Sequence, residues 1–189
     1  MALNSQIVNL LVVFGLVQIA NRFDLDNEAN VHYLRAAYMG MQVIVAIVLF
    51  IVYRRVLAKK DETPLVYTEA KNPMEPKNVE TVRTTIKDYD ITKLKETLRG
   101  QVVAMAILGF IHYKWGYLRP LLLQSVLGLR TLYQAQLVQV HILGKPATGD
   151  LARPWKAASP FGQPPTAVSE KELKAKEKKE AKKKLIHQE

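Results

Sequence analysis

The chain is 189 residues long, with Lys+Arg 27 against Asp+Glu 17 and a net charge of +10. That length suits one domain, or one small membrane bundle with tails. Its lack of cysteine excludes a disulfide scaffold, a thiolate zinc site and a cysteine nucleophile.

The average composition conceals a segregation. Met1–Asn21 and Ala36–Tyr53 carry no charge, while Lys and Glu gather in other blocks. Soluble domains spread charge along amphipathic elements. The pattern predicts an all-α, multi-pass membrane protein with three to four short transmembrane helices, a cytosolic insert and a basic disordered tail.

The first two spans are expected within residues 1–60, at about 3–20 and 34–57, each close to the roughly 20 apolar residues a bilayer requires. Leu3–Ala20 holds Asn4, Asn9 and Gln18 but no charge. It lacks the basic start and small-residue cleavage site of a signal peptide, so an uncleaved anchor is expected, with a cleaved leader as the alternative. Ala36–Tyr53 contains one polar residue, Gln42, and covers about 27 Å as a helix. The alternative, a buried helix of a soluble core, fits a charge-free run of that length poorly. Arg54, Arg55, Lys59 and Lys60 follow at once and set topology by the positive-inside rule.

Residues 61–99 form a cytosolic insert. Asn72-Pro73 and Glu75-Pro76 mark turns. The Asp88-Tyr89-Asp90 triplet before an apolar-periodic run reads as a helix N-cap, and that helix is expected to continue into the third membrane segment.

Residues 100–143 hold that third helix and a fourth, membrane-embedded or interfacial. Gly100–Tyr113 is uncharged, and Lys114, Gly116, Arg119 and Pro120 interrupt it. Pro120 fits the first turn of a new helix, which gives a hairpin of short helices turning at Lys114–Arg119. Lys114 and Arg119 are candidate interface charges able to snorkel outward. If the fourth helix is continuous, Arg130, Gln134 and His141 share one face within roughly 40°. They form a candidate intramembrane polar face, since polar groups in lipid meet a partner, water or a substrate path. Ordinary interhelical packing is the competing explanation.

Residues 144–189 are a Pro/Gly-rich segment and a Lys/Glu-rich cytosolic tail. Gly144-Lys145-Pro146-Ala147-Thr148-Gly149-Asp150 has the residue types of a phosphate loop in the wrong order, with Pro146 deleting an amide the cradle needs. Trp155 and Phe161 are expected to anchor this segment. Lys171, Lys174, Lys178, Lys179, Lys182, Lys183 and Lys184 form a candidate contact with a ribosome's RNA or with anionic lipid heads. A disordered, solubilising tail is the simpler reading.

Loop 21–35 carries two basic residues against three acidic, loop 54–99 eleven against eight, and the tail 144–189 eleven against six. The Lys/Arg bias puts the first loop in the lumen and the other two in the cytosol, which favours four spans over three. His32, His112, His141 and His187 make no metal-ligand spacing, and no hydrolase elbow, kinase or dinucleotide signature occurs. No catalytic, metal or cofactor residue is assigned, and no enzymatic activity or cofactor is expected.

The run His141-Ile142-Leu143-Gly144-Lys145-Pro146-Ala147-Thr148-Gly149-Asp150-Leu151, continued by Arg153-Pro154-Trp155-Lys156-Ala157, closely resembles the signature of the fungal inorganic-phosphate-transport membrane protein family. That family is also known as the third component of the SRP-independent targeting (SND) pathway. Thr81-Val82-Arg83, Asp88-Tyr89-Asp90 and Pro120-Leu121-Leu122-Leu123-Gln124-Ser125 lie in matching order. The resemblance spans about residues 4–160 and leaves the tail from Ser169 unmatched.

The resemblance implies a multi-pass protein of the endoplasmic reticulum membrane. Such a protein helps target and insert other membrane proteins beside the Sec translocon, and the polar-faced hairpin adds the expectation of a polar membrane-embedded groove. Implied partners are the Sec translocon, other SND-pathway components and client membrane proteins; the lipid bilayer is expected from the apolar spans and the ribosome from the basic tail. Phosphate transport, or maturation of phosphate transporters, is one alternative; a structural adaptor of the same membrane is another.

Overall fold

The computed structural model describes residues 5–22, 27–70, 79–155 and 166–167. The described chain is mostly helical: α1 Ser5–Arg22, α2 Glu28–Lys59, α3 Ile86–Trp115, α4 Arg119–Gln134 and α5 Gln136–His141. Three strands accompany the helices: β1 Pro64–Ala70, β2 Val79–Thr85 and β3 Thr166–Ala167. The all-α expectation is therefore corrected by a small sheet of order β2-β1-β3, antiparallel throughout, with Tyr67 opposite Val82 and Ala167. The β-branched runs in Leu65–Thr68 and Thr81–Thr85 suit a pleated surface. They flank the two prolines, a hairpin arrangement that the surrounding charge obscured.

The chain divides into two compact units. The first comprises residues 1–55 and 93–143. Within α2, Leu34, Tyr38, Met41, Val45, Leu49 and Val52 are buried, and the pattern repeats after eleven residues, from Leu34 to Val45 and from Met41 to Val52. Eleven residues in three turns is 3.67 per turn, close to the helix's own period, so the buried seam runs nearly straight. The other faces of α2 are apolar too: Met39, Val43, Ile44, Ile47, Phe50 and Ile51 are exposed. Apolarity all round marks a helix that lies in a large core or in lipid.

Among the described residues one helix, Asn30–Lys59, is long and apolar enough to cross a membrane, and 28% of its most apolar window is buried within the chain. Leu10–Arg22 is apolar but shorter.

α3 runs unbroken from the insert to Trp115, as expected. It ends where Gly116 takes φ +70 and its N–H bonds to the His112 carbonyl, 2.9 Å, a left-handed stop that favours glycine. α4 then begins with a proline in its first turn. At Gly128 α4 comes so close to α2 that a Cβ there would lie 2.9 Å from Met41 Sδ and Cε.

The second unit comprises residues 56–92 and 144–189. The hairpin passes directly into α3: Ile86 N–H donates to the Thr63 carbonyl at 3.0 Å and Lys87 N–H to that of Asp61 at 2.9 Å. Asp88 is not the cap. Its N–H donates to Thr85 Oγ1 at 3.2 Å, so the threonine hydroxyl does the work expected of the carboxylate. Asp90 is 1% exposed inside the unit's core.

Candidate functional site

The first unit contains three polar contacts along α2. Near its start, Arg35 Nε donates to His112 Nε2 at 3.0 Å, and the other ring nitrogen, Nδ1, lies 3.2 Å from the Tyr117 carbonyl. With Nε2 accepting, Nδ1 carries the proton and donates. Two turns further on, Gln101 Nε2 donates to Gln42 Oε1 at 2.8 Å. Near its end, Arg55 Nη1 donates to the carbonyls of His141 at 2.6 Å and Ile142 at 3.3 Å. Cationic donors at a helix C-terminus satisfy orphan carbonyls and meet the negative end of the dipole. Arg35 and Arg55 are twenty residues apart, about 30 Å of helix, which is the thickness of a hydrocarbon core.

The first two contacts fix α3 antiparallel to α2 and set their relative height. Counting outward from Gln42–Gln101 and Arg35–His112, Arg99 stands level with Ile44–Val48. Lys95 and Glu96 stand level with Ile47–Val52. Ile44, Ile47 and Phe50 are exposed apolar residues, whereas Lys95, Glu96 and Arg99 are exposed and charged. At one height, then, α2 presents oil and α3 presents charge. Between them lies a groove of about 250 Å³, lined by Gln42, Val45, Leu49, Leu98, Val102 and Met105 among others.

The residues expected to share a polar face do not lie on one helix. Ala135, at φ −59 and ψ 128, breaks the segment into α4 and α5, so the 100° arithmetic ends at Gln134. Arg130 Nε is enclosed without a hydrogen-bond partner. Gln134 is exposed, its carbonyl taking a bond from Gln139 Nε2 at 3.0 Å. His141 is buried at the end of α5. Lys114 and Arg119 are both exposed, on either side of the α3–α4 turn. Arg54, Lys59 and Lys60 are exposed where α2 ends, and Lys59 Nζ lies 3.8 Å from Asp61. The tail lysines and Phe161 lie outside the described residues. Among the described residues no His, Cys, Asp and Glu group could hold a metal.

The second unit holds a cluster the residue-by-residue reading missed. Arg153 Nε and Nη2 donate to the two carboxylate oxygens of Asp90 at 2.7 and 2.6 Å, with side chains 5% and 1% exposed. Such a bidentate pair offsets the cost of burying both charges by geometry. The Trp155 N–H donates to Tyr89 Oη at 2.7 Å, and Trp155 Nε1 donates to the Leu151 carbonyl at 3.0 Å. Tyr89 meets Tyr67 and Trp155 edge-on at 5.4 and 5.5 Å, and the Arg153 guanidinium sits 5.1 Å from the Trp155 ring centre. Trp155 thus anchors its segment as expected. The signal lay in the two stretches that carried the resemblance, Asp88-Tyr89-Asp90 and Arg153-Pro154-Trp155, which prove to be partners in space.

The nearby Asp61 carboxyl is held below its ordinary value of 3.8, chiefly by the hydrogen bond from the Thr63 hydroxyl, with smaller help from Lys59 and Arg153.

The family model described as Phosphate transport (Pho88) matches residues 3–187, so the match extends through the tail that the motif comparison left unplaced. An uncharacterized protein of Schizosaccharomyces pombe is 38% identical over 161 residues, 85% of this chain and 79% of its own. SRP-independent targeting protein 3 of Saccharomyces cerevisiae is 32% identical over 85% of each chain. The SRP-independent targeting protein 3 homolog of Schizosaccharomyces pombe is 34% identical over 90% of this chain and 92% of its own. No solved structure matches. By the extent of these matches, the chain belongs to the Pho88 phosphate transport family.

Proposed function

We propose that this chain is a multi-pass component of the endoplasmic reticulum membrane that serves SRP-independent targeting and insertion of membrane proteins. It acts beside the Sec translocon and other components of that pathway, with client membrane proteins as its substrates. It has no catalytic chemistry. The name of the Saccharomyces cerevisiae relative supports the targeting role, and the length and exposed apolar faces of α2 support the membrane setting.

The observation that carries the mechanism is the height match between Arg99 and the Ile44–Val48 stretch. Measured from Arg54, the basic end of α2, Arg99 stands roughly 9–15 Å inside the span. Charged groups at that depth draw water and head groups inward and thin the bilayer locally. A hydrophilic flank of a client then crosses a shorter hydrocarbon barrier. The basic end faces the cytosol by the Lys/Arg rule, so the notch opens toward arriving clients. The tail lysines would meet anionic lipid heads or ribosomal RNA on that side.

The test is insertion of a single-span client with a short polar luminal flank into vesicles containing the purified chain, read as protease protection of the flank. Replacing Lys95 and Arg99 together with leucine is expected to lower protection severalfold. Unchanged protection would contradict the mechanism.

A second reading, phosphate transport, draws on the family description and on the enclosed, unpartnered Nε of Arg130. Uptake of labelled phosphate into the same vesicles, lost in Arg130→Leu, would favour it over insertion.

A further inference from the structure

The groove between α2 and α3 has a cationic end. On α3, Lys95, Leu98, Val102 and Met105 fall within about 80° of one another, so Lys95 stands on the face that lines the groove, one turn beyond Leu98. Arg99 lies one step round from that face, and both cations are exposed. Side chains on a helix lean toward its N-terminus, which for α3 is the direction of the basic end of α2. Residues 44–55 and 93–105 together hold five Lys and Arg against one carboxylate, Glu96. Lys93 Nζ takes up that carboxylate at 2.9 Å.

Inward of these charges the accessible lining is wholly apolar and open to the side, with Val43 56% and Val102 52% exposed. The groove runs from Leu49 and Leu98 to Gln42 and Met105, about 10 Å along the helices. A volume of about 250 Å³ over that length gives a cross-section of about 25 Å², against roughly 80 Å² for a helix 10 Å across. That width seats one extended hydrocarbon chain and leaves a helix outside. The apolar lining rejects water and head groups, while basic side chains between membrane helices attract lipid phosphate. We infer that the groove holds one acyl chain of an anionic glycerophospholipid whose phosphate is bound by Lys95 and Arg99. The inference rests on the membrane reading above and identifies what brings a head group down to Arg99: a bound lipid seated deeper than its neighbours.

The experiment offers the full chain, in mild detergent, equal amounts of dioleoyl phosphatidylserine and dioleoyl phosphatidylcholine, and counts the lipids retained by native mass spectrometry. One phosphatidylserine is expected to stay, preferred about ten- to thirtyfold over phosphatidylcholine. Lys95→Gln together with Arg99→Gln should remove that preference. Ala46 lines the groove, so Ala46→Phe should fill it and lower retention of either lipid about tenfold, with circular dichroism unchanged. Glycerophosphoserine, the same head group without chains, should fail to displace the lipid from the unaltered chain, a comparison that needs no folded variant. Equal retention of both lipids, full retention by Ala46→Phe, or displacement by glycerophosphoserine, which would mark an anion site with no seat for a chain, would overturn the inference. No client is present in this measurement, so lipid retention can fail while insertion stands, and insertion can fail while the lipid stays bound.

Discussion

Arg55 Nη1 donates to the backbone carbonyl of His141 across 86 positions of sequence, at 2.6 Å. One of the basic residues expected only to set topology therefore also closes the end of α5. A hydrogen bond from a charged donor contributes about 1.5–3 kcal/mol. Arg55→Ala should lower the unfolding free energy in detergent by about that amount. Arg55→Lys should recover part of it, since lysine keeps the charge but not the planar fork.

Breaking the Asp90–Arg153 pair from one side leaves a buried charge alone. Arg153→Leu should destabilise the chain by about 3–5 kcal/mol in denaturant unfolding. The double variant Asp90→Leu, Arg153→Leu should be less damaged than the single one, because no charge is then stranded. A double variant worse than Arg153→Leu would show that the pair acts through more than its charges.

Gly128 separates two substitutions by size. An alanine Cβ meets the flexible end of Met41, which can swing aside, and alanine favours helix by about 1 kcal/mol over glycine. Gly128→Ala should therefore change the melting temperature little. Gly128→Leu overfills the same contact and should cost about 1–3 kcal/mol.

Much of the helical framework was legible because it rests on local signals. The charge-free run of α2, the break at Lys114–Arg119 and Pro120 in a first turn are short-range physics, and they appear where expected. The hairpin was not legible because its strands are short and charged. The cap was misassigned because Asp88 and Thr85 are both good cap residues three positions apart. The break at Ala135 lacks a Gly or Pro, so no local rule marks it, and the supposed face of Arg130, Gln134 and His141 depended on its absence. The contacts that matter most, Gln42 with Gln101 and Asp90 with Arg153, join positions 59 and 63 apart, beyond the reach of any periodicity.

The pH dependence has a defined sign. The Asp61 carboxyl is lowered from 3.8 in the folded state, first by the Thr63 hydroxyl. A lowered folded value means the stabilisation is present above the unfolded value and is lost as pH falls through the folded one. Thr63→Val should therefore lower stability at neutral pH and flatten its fall below pH 3.8, so that the two chains converge at low pH in urea unfolding across that range. An unchanged acid slope would remove the hydroxyl as the cause.

The central claim is that α3 carries charge at a height where α2 is embedded in lipid. Because the chain has no cysteine, single cysteines can be placed without background. In sealed microsomes, Arg99→Cys and Phe50→Cys should be treated from outside with a membrane-impermeant maleimide. The account predicts fast labelling at Arg99→Cys and almost none at Phe50→Cys, although Phe50 lies nearer the basic end of its helix. Equal protection of both positions, or equal labelling of both, would contradict it.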